Sequence, residues 1–165
     1  MTVHNPVTPP RPASLAGAAP VADLRALDAA RALSVLMFRD WFDGPCGQER
    51  VCGMFCDVLG DDTGPVAFEA WSDCLDSLAR HGRRALVHHG ADCNCVGADE
   101  ALVAQLFDSA ASCAREDALM ILALIMPADR GLLVLPSAES AGLAILRVAH
   151  RMCATPVHGA SRALH

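Results

Sequence analysis

Apolar residues return at intervals of three and four along most of this chain, in blocks cut short by glycine, proline or acidic pairs. That pattern constrains the fold more than any other feature. Ala26, Ala30, Leu33, Met37 and Trp41 mark one stripe, with Asp28, Arg31 and Arg39 largely off it, so residues 21–42 are expected to form an amphipathic helix stopped by Asp43-Gly44-Pro45. Val51, Phe55 and Val58 predict a second helix over 47–59, with Gly60 as a left-handed cap. Gly64-Pro65 opens a third, because proline is tolerated in a first turn where its missing N–H has no partner anyway.

The stripe of that third helix is Phe68, Trp71, Leu75 and Leu78, and Gly82 stands where a C′ residue belongs. Arg80, His81, Arg83 and Arg84 crowd the negative end of its dipole, which reads as capping. A fourth helix begins at Asp99 and Glu100 and faces inward through Val103, Leu106, Phe107 and Ala110. A strongly apolar fifth segment runs to Met126, and a last helix is expected from about Pro136 or Ser137 to Arg151. The stretch Gly131 to Leu135 fits a short strand or a helical connection, and the lack of an evident partner strand favours the latter. The expected fold class is all-α: a single-domain bundle of five to six short helices, with a Cys/His loop between the third and fourth.

At 165 residues, 53% of them hydrophobic, the chain has the length and apolar content for one cored domain. Pro6, Pro9, Pro10, Pro12 and Pro20 crowd residues 1–20, which lack a charged start followed by an apolar run, so a disordered tail is expected there rather than a secretory signal. The helical domain should then span 21–153, with a flexible tail over 154–165. A net charge of −6 argues against nucleic acid as a partner, since such proteins carry a basic patch or stripe. The longest apolar run, Ala118 to Met126, is too short to cross a bilayer, so no membrane partner is expected.

Eight cysteines without a signal segment point to reduced thiols in a cytoplasm, where cysteine clusters more often mean metal or reactivity than a disulfide framework. His89-Gly-Ala-Asp-Cys93-Asn-Cys95-Val-Gly97-Ala-Asp99-Glu100 is the stretch that carries chemistry. A bent loop can present His89, Cys93 and Cys95 to one ion, and a polar loop with glycines is a poor place to hide apolar thiols. Structural zinc wants four ligands. His81 is the expected fourth, with His88, Cys74, Cys52 and Cys56 as alternatives. Cys74, Cys113 and Cys153 stand in apolar helical surroundings and are expected to pack as small hydrophobes, with Cys52 and Cys56 leaning the same way.

The pattern HxxxCxCxGxDE, carried by His89, Cys93, Cys95, Gly97, Asp99 and Glu100, resembles that of a set of small, uncharacterised helical proteins of alphaproteobacteria. The resemblance extends from the third helix to the last. It implies that the loop and the following helix belong together, and it brings no activity with it.

The ligand chemistry points to a non-enzymatic metal-binding protein, with zinc as the ion, acting as a regulatory or protein-interaction module in the cytoplasm. Copper(I) ranks behind zinc, with Cys52, Met54, Cys56, Met120 and Met126 as soft donors. Two other readings stand beside it. One is a thiol-based redox sensor or oxidoreductase using Cys93 and Cys95; the other is a helical interaction module without metal. A metallohydrolase with Glu100 as base ranks lowest, because a glutamate at a helix start already has a structural task.

Overall fold

In a computed structural model, residues 14–154 are described, and the tails expected at the two ends fall largely outside them. The chain order is α1 (Ser14–Gly17), β1 (Pro20–Asp23), a single 3-10 turn (Leu24–Ala26), α2 (Ala29–Phe42), α3 (Pro45–Leu59), α4 (Gly64–His81), β2 (Cys95–Gly97), α5 (Ala98–Ala111), α6 (Arg115–Ile125) and α7 (Ala128–Ala154). The all-α class holds: among the described residues, six helices of at least eleven residues pack around one core, with a two-stranded ribbon on one flank.

The largest difference from expectation is at the start. No helix begins at residue 21. Asp23 accepts the Arg25 amide at the head of the 3-10 turn, and Asp28 accepts the Arg31 amide at 3.0 Å, so α2 starts one residue after its cap. Ala26 therefore lies outside the stripe assigned to it and is exposed, whereas Leu33, Met37 and Trp41 are buried as their spacing requires. The segment before the helix is ordered as well. Pro20, Ala22 and Asp23 pair antiparallel with Gly97, Val96 and Cys95 across an irregularity at Val21.

At the other end, α7 begins eight residues before Pro136 and runs through it. Proline leaves the carbonyl four residues back without its helical donor. Pro136 and Leu132 both lie on the exposed side of α7, where water can serve that carbonyl, so the helix continues. Gly131 to Leu135 is thereby helical. With 27 residues and a hydropathy of 1.5 over its most apolar window, α7 is long and apolar enough to cross a membrane; half of that window is buried against the bundle.

The core joins Phe38, Val51, Phe55, Trp71, Leu75, Leu78, Leu106, Phe107, Leu122 and Ile145, with Trp71 stacked on Phe107 at 4.7 Å between ring centroids. Residue Gly142 lets α7 run close to α5: a Cβ there would strike the Phe107 carbonyl oxygen. A second, smaller apolar cluster lies under the ribbon, where Val35 of α2, Val96 of β2 and Ala104 of α5 meet, with Ala22, Leu24 and Leu27 packed against them. It fixes the Cys/His loop to the bundle.

Candidate metal centre

The site is assembled around the first turn of α5. Gly97 is the extended N-cap, and Glu100, three residues on, turns its carboxylate back to accept the Gly97 amide at 2.7 Å. This satisfies one of the amides a helix start leaves without a partner. The same carboxylate accepts the backbone amide of His89 at 2.8 Å. It also faces Arg39 of α2, whose Nε and Nη2 donate to its two oxygens at 2.7 and 3.0 Å.

The guanidinium has donors left over, and the loop takes them. Arg39 Nη1 donates to the Cys93 carbonyl at 2.6 Å and the Gly90 carbonyl at 3.3 Å, and Nη2 donates to the Cys95 carbonyl at 2.7 Å. All five guanidinium N–H groups thus have acceptors. The pair is enclosed, with the Arg39 side chain 2% and the Glu100 side chain 0% exposed. Burial pushes the Glu100 carboxyl up, but Arg39, the amides of Gly97 and His89, and the His89 ring together outweigh it and hold it at about 2, well below the ordinary 4.5. Glu100 is therefore a fixed anion with every lone pair engaged, which removes it as the general base of a hydrolase.

Asp99, expected to cap the helix or stand in its first turn, is the second residue of α5 and points away from its own amides. It accepts both terminal nitrogens of Arg84, one at 2.6 Å, and the Val87 amide at 2.9 Å. Arg84 thus ties the chain after α4 to α5 rather than capping α4. Arg80 pairs with Asp76 one turn back, and Gly82 ends the helix in an extended conformation (φ −60°, ψ 144°) instead of a left-handed one. Gly17 of α1 lies directly on the Asp99 carboxylate, where a Cβ would collide with it. The amide of Leu24 donates to the Asn94 carbonyl at 2.7 Å, and that of Ala98 to the Ala19 carbonyl at 3.0 Å, so the N-terminal segment straps the loop from outside.

On this frame, His89, Cys93 and Cys95 come together: one donor atom from each lies within 4.8 Å of the others, all three residues half-buried, and the group could hold a metal ion. His89 Nδ1 stands 3.2 Å from Glu100 Oε2. Glu100 is an anion and can only accept, so Nδ1 carries the proton, and in the neutral ring Nε2 is the nitrogen with the lone pair. Ligating histidines are commonly fixed in this way by a carboxylate behind them. The two sulfurs are joined in a disulfide across Asn94, with the Cα atoms 5.5 Å apart.

The other sequence-derived ligands stand apart from this group. His81 is exposed on the last turn of α4 and lines an open cavity of about 420 Å³ with Asp73, Asp76, Arg80 and Arg130. His88 lies flat on Phe42, ring centroids 5.7 Å apart, and edge-on to Phe38. Cys74 is buried in the core, where burial first and Asp73 second push its thiol up to about 12. Cys52 and Cys56 sit half-buried on α3; burial, then the neighbouring Cys52, then Asp61 and Asp57 push the Cys56 thiol up. Packing was the expectation for Cys113 and Cys153, and both are exposed. Cys113 occupies the α5–α6 turn at a φ of 59°, and Cys153 lies in the last turn of α7, beyond the core.

Arg39 is the site residue that sequence reasoning missed. The single stripe through Leu33, Met37 and Trp41 leaves Arg39 off it. The run Val35-Leu36-Met37-Phe38 preceding it is apolar on nearly all sides, which signals a helix buried on two faces, and Arg39 follows Val35 by four on the second. The two short strands were missed for want of length. Compared with family models, with curated proteins and with solved structures, the chain finds no match, so the geometry carries the functional argument.

Proposed function

We propose that this chain is a non-enzymatic metal-binding helical protein that holds one zinc ion on His89, Cys93 and Cys95 and serves as a regulatory or protein-interaction module. One observation carries the reading: the three donors converge on a loop whose backbone is already fixed by Arg39, with Glu100 holding the His89 ring from behind. Two thiolates and a neutral imidazole suit zinc and leave the loaded site uncharged, which limits the cost of its partial burial. Copper(I) would draw on further soft donors. Met126 is buried and Met120 exposed on α6, and Cys52 and Cys56 lie on α3, outside the group, so this donor set favours zinc.

Three protein ligands leave a fourth position for water or for a side chain from a protein partner, in the cytoplasm where thiols stay reduced. Metal analysis of untagged, gel-filtered protein tests the reading. About one zinc per chain, lost in Cys93→Ser/Cys95→Ser, is the expected result; zinc-free protein after expression and purification under reducing, zinc-supplied conditions refutes it.

A second reading, a thiol-based redox protein, is favoured by the Cys93–Cys95 disulfide itself. Rapid, selective alkylation of Cys93 or Cys95 near neutral pH in the reduced, metal-free protein would support it.

A further inference from the structure

We infer that the Cys93–Cys95 disulfide is the gate of the metal site: oxidation of this one pair expels the ion, and reduction re-creates the site without refolding. The inference rests on the zinc reading above and adds its regulation.

The two states exclude each other by distance. Sulfurs in a disulfide are about 2.0 Å apart, whereas two thiolates on one tetrahedral zinc, each about 2.3 Å from it, stand about 3.8 Å apart. A disulfide sulfur also has no thiolate charge to offer. One pair of atoms therefore serves either state, never both.

The frame accommodates the exchange because nothing that holds the loop depends on the sulfurs. The carbonyls of Cys93 and Cys95 are bound by Arg39, the Asn94 carbonyl by the Leu24 amide, and β2 by β1. His89 is held by Glu100 through both its amide and its ring. With the bond made, the Cα atoms of the pair stand 5.5 Å apart, within the ordinary range for a disulfide. Rotation of two side chains on this held backbone is the change the exchange calls for, and Cys93 and Cys95 are each only half-buried. The remaining cysteine pair, Cys52 and Cys56 on α3, lies outside this frame.

The chemistry balances with a peroxide as oxidant. The two zinc-bound thiolates give up two electrons, the S–S bond forms and the peroxide O–O bond breaks. Two protons from solvent complete two waters, and the zinc ion leaves as the free dication. In the reverse direction a dithiol supplies two electrons and two protons to the disulfide and is itself oxidised. Zinc then displaces the two thiol protons.

The test uses the full chain carrying Cys52→Ser/Cys56→Ser, so that oxidation at α3 is removed from the readout. The reduced protein is loaded with zinc, treated with hydrogen peroxide, and followed by a chromogenic zinc indicator and by peptide mapping of the Cys93–Cys95 bond. The expected result is release of about one zinc per chain at the rate at which that disulfide forms, and rebinding after dithiothreitol. Zinc bound by the reduced chain but retained while Cys93 and Cys95 stay reduced, with oxidation confined to Cys46, Cys113 or Cys153, overturns the gate and leaves the zinc reading standing. A fully reduced chain that takes up no zinc overturns the zinc reading and the gate with it.

Discussion

Replacing Glu100 with glutamine keeps the shape of the buried pair and removes its negative charge, so Arg39 is left as an enclosed, uncompensated cation. Breaking one side of a buried ion pair costs about 3–5 kcal/mol, and Glu100→Gln is expected to lose that much stability at pH 7 in the metal-free, oxidised protein. The difference should depend on pH in a defined direction. Because the folded carboxyl is held at about 2 against an ordinary 4.5, the folded state favours its ionised form. That preference amounts to about 3 kcal/mol at 1.36 kcal/mol per pKa unit. The contribution is complete above the unfolded value of 4.5 and drains away as the pH falls toward 2. At pH 3 only about 1 kcal/mol of it remains. The gap between wild type and Glu100→Gln, read from urea unfolding followed by circular dichroism at pH 6, 5, 4 and 3, should therefore be constant down to about pH 5 and shrink by about 2 kcal/mol at pH 3. Carboxylates common to both chains cancel in this difference. A gap that stays constant or widens on acidification would mean that Arg39 and the three hydrogen bonds to the loop do not hold Glu100 ionised, and the account of the frame would fail.

Gly142→Ala and Gly53→Ala, both mid-helix, should change stability in opposite directions. The added methyl at 142 meets the Phe107 carbonyl, and overpacking of about 1–3 kcal/mol outweighs the helix-propensity gain, lowering Tm; at 53 nothing stands within 4 Å, so about 1 kcal/mol is gained and Tm rises. A rise for Gly142→Ala would refute the close α5–α7 approach. Gly17→Ala should push α1 off the Asp99 carboxylate and speed proteolytic cleavage ahead of β1, with the helical core left intact; unchanged cleavage would show that the strap is not seated there. In the native chain, iodoacetamide at pH 8 should label Cys46, Cys113 and Cys153 and leave Cys74 unmodified until denaturant is added, as mass spectrometry of peptides will show. Early labelling of Cys74 would contradict its burial.

How much of the site was legible follows from the range of each interaction. His89, Cys93, Cys95, Gly97 and Glu100 lie within twelve positions, so loop spacing and first-turn chemistry at a helix start were enough to bring them forward. Arg39 reaches Glu100 across 61 positions, and no local pattern records a contact of that separation. Helix ends favour cations locally, so the sequence places Arg84 as a cap, while in the structure it pairs with Asp99, which is better shielded from water. The fourth ligand drew on His81 by nearness in sequence, and the fold carries His81 to the α4–α7 cavity instead.

The sequence alone determined the all-α class, the inward residues of α3 to α5 and the position of the Cys/His loop, because helix periodicity and turn chemistry act over a few residues. Tertiary structure alone decided that residues 20–23 form a strand, that Pro136 lies within a helix, and that a buried arginine organises the loop. Each of these depends on what lies opposite in space. A four-residue strand needs β2 and the apolar cluster beneath it, a proline is tolerated where its helix face meets water, and a charge is buried only when the fold supplies its acceptors.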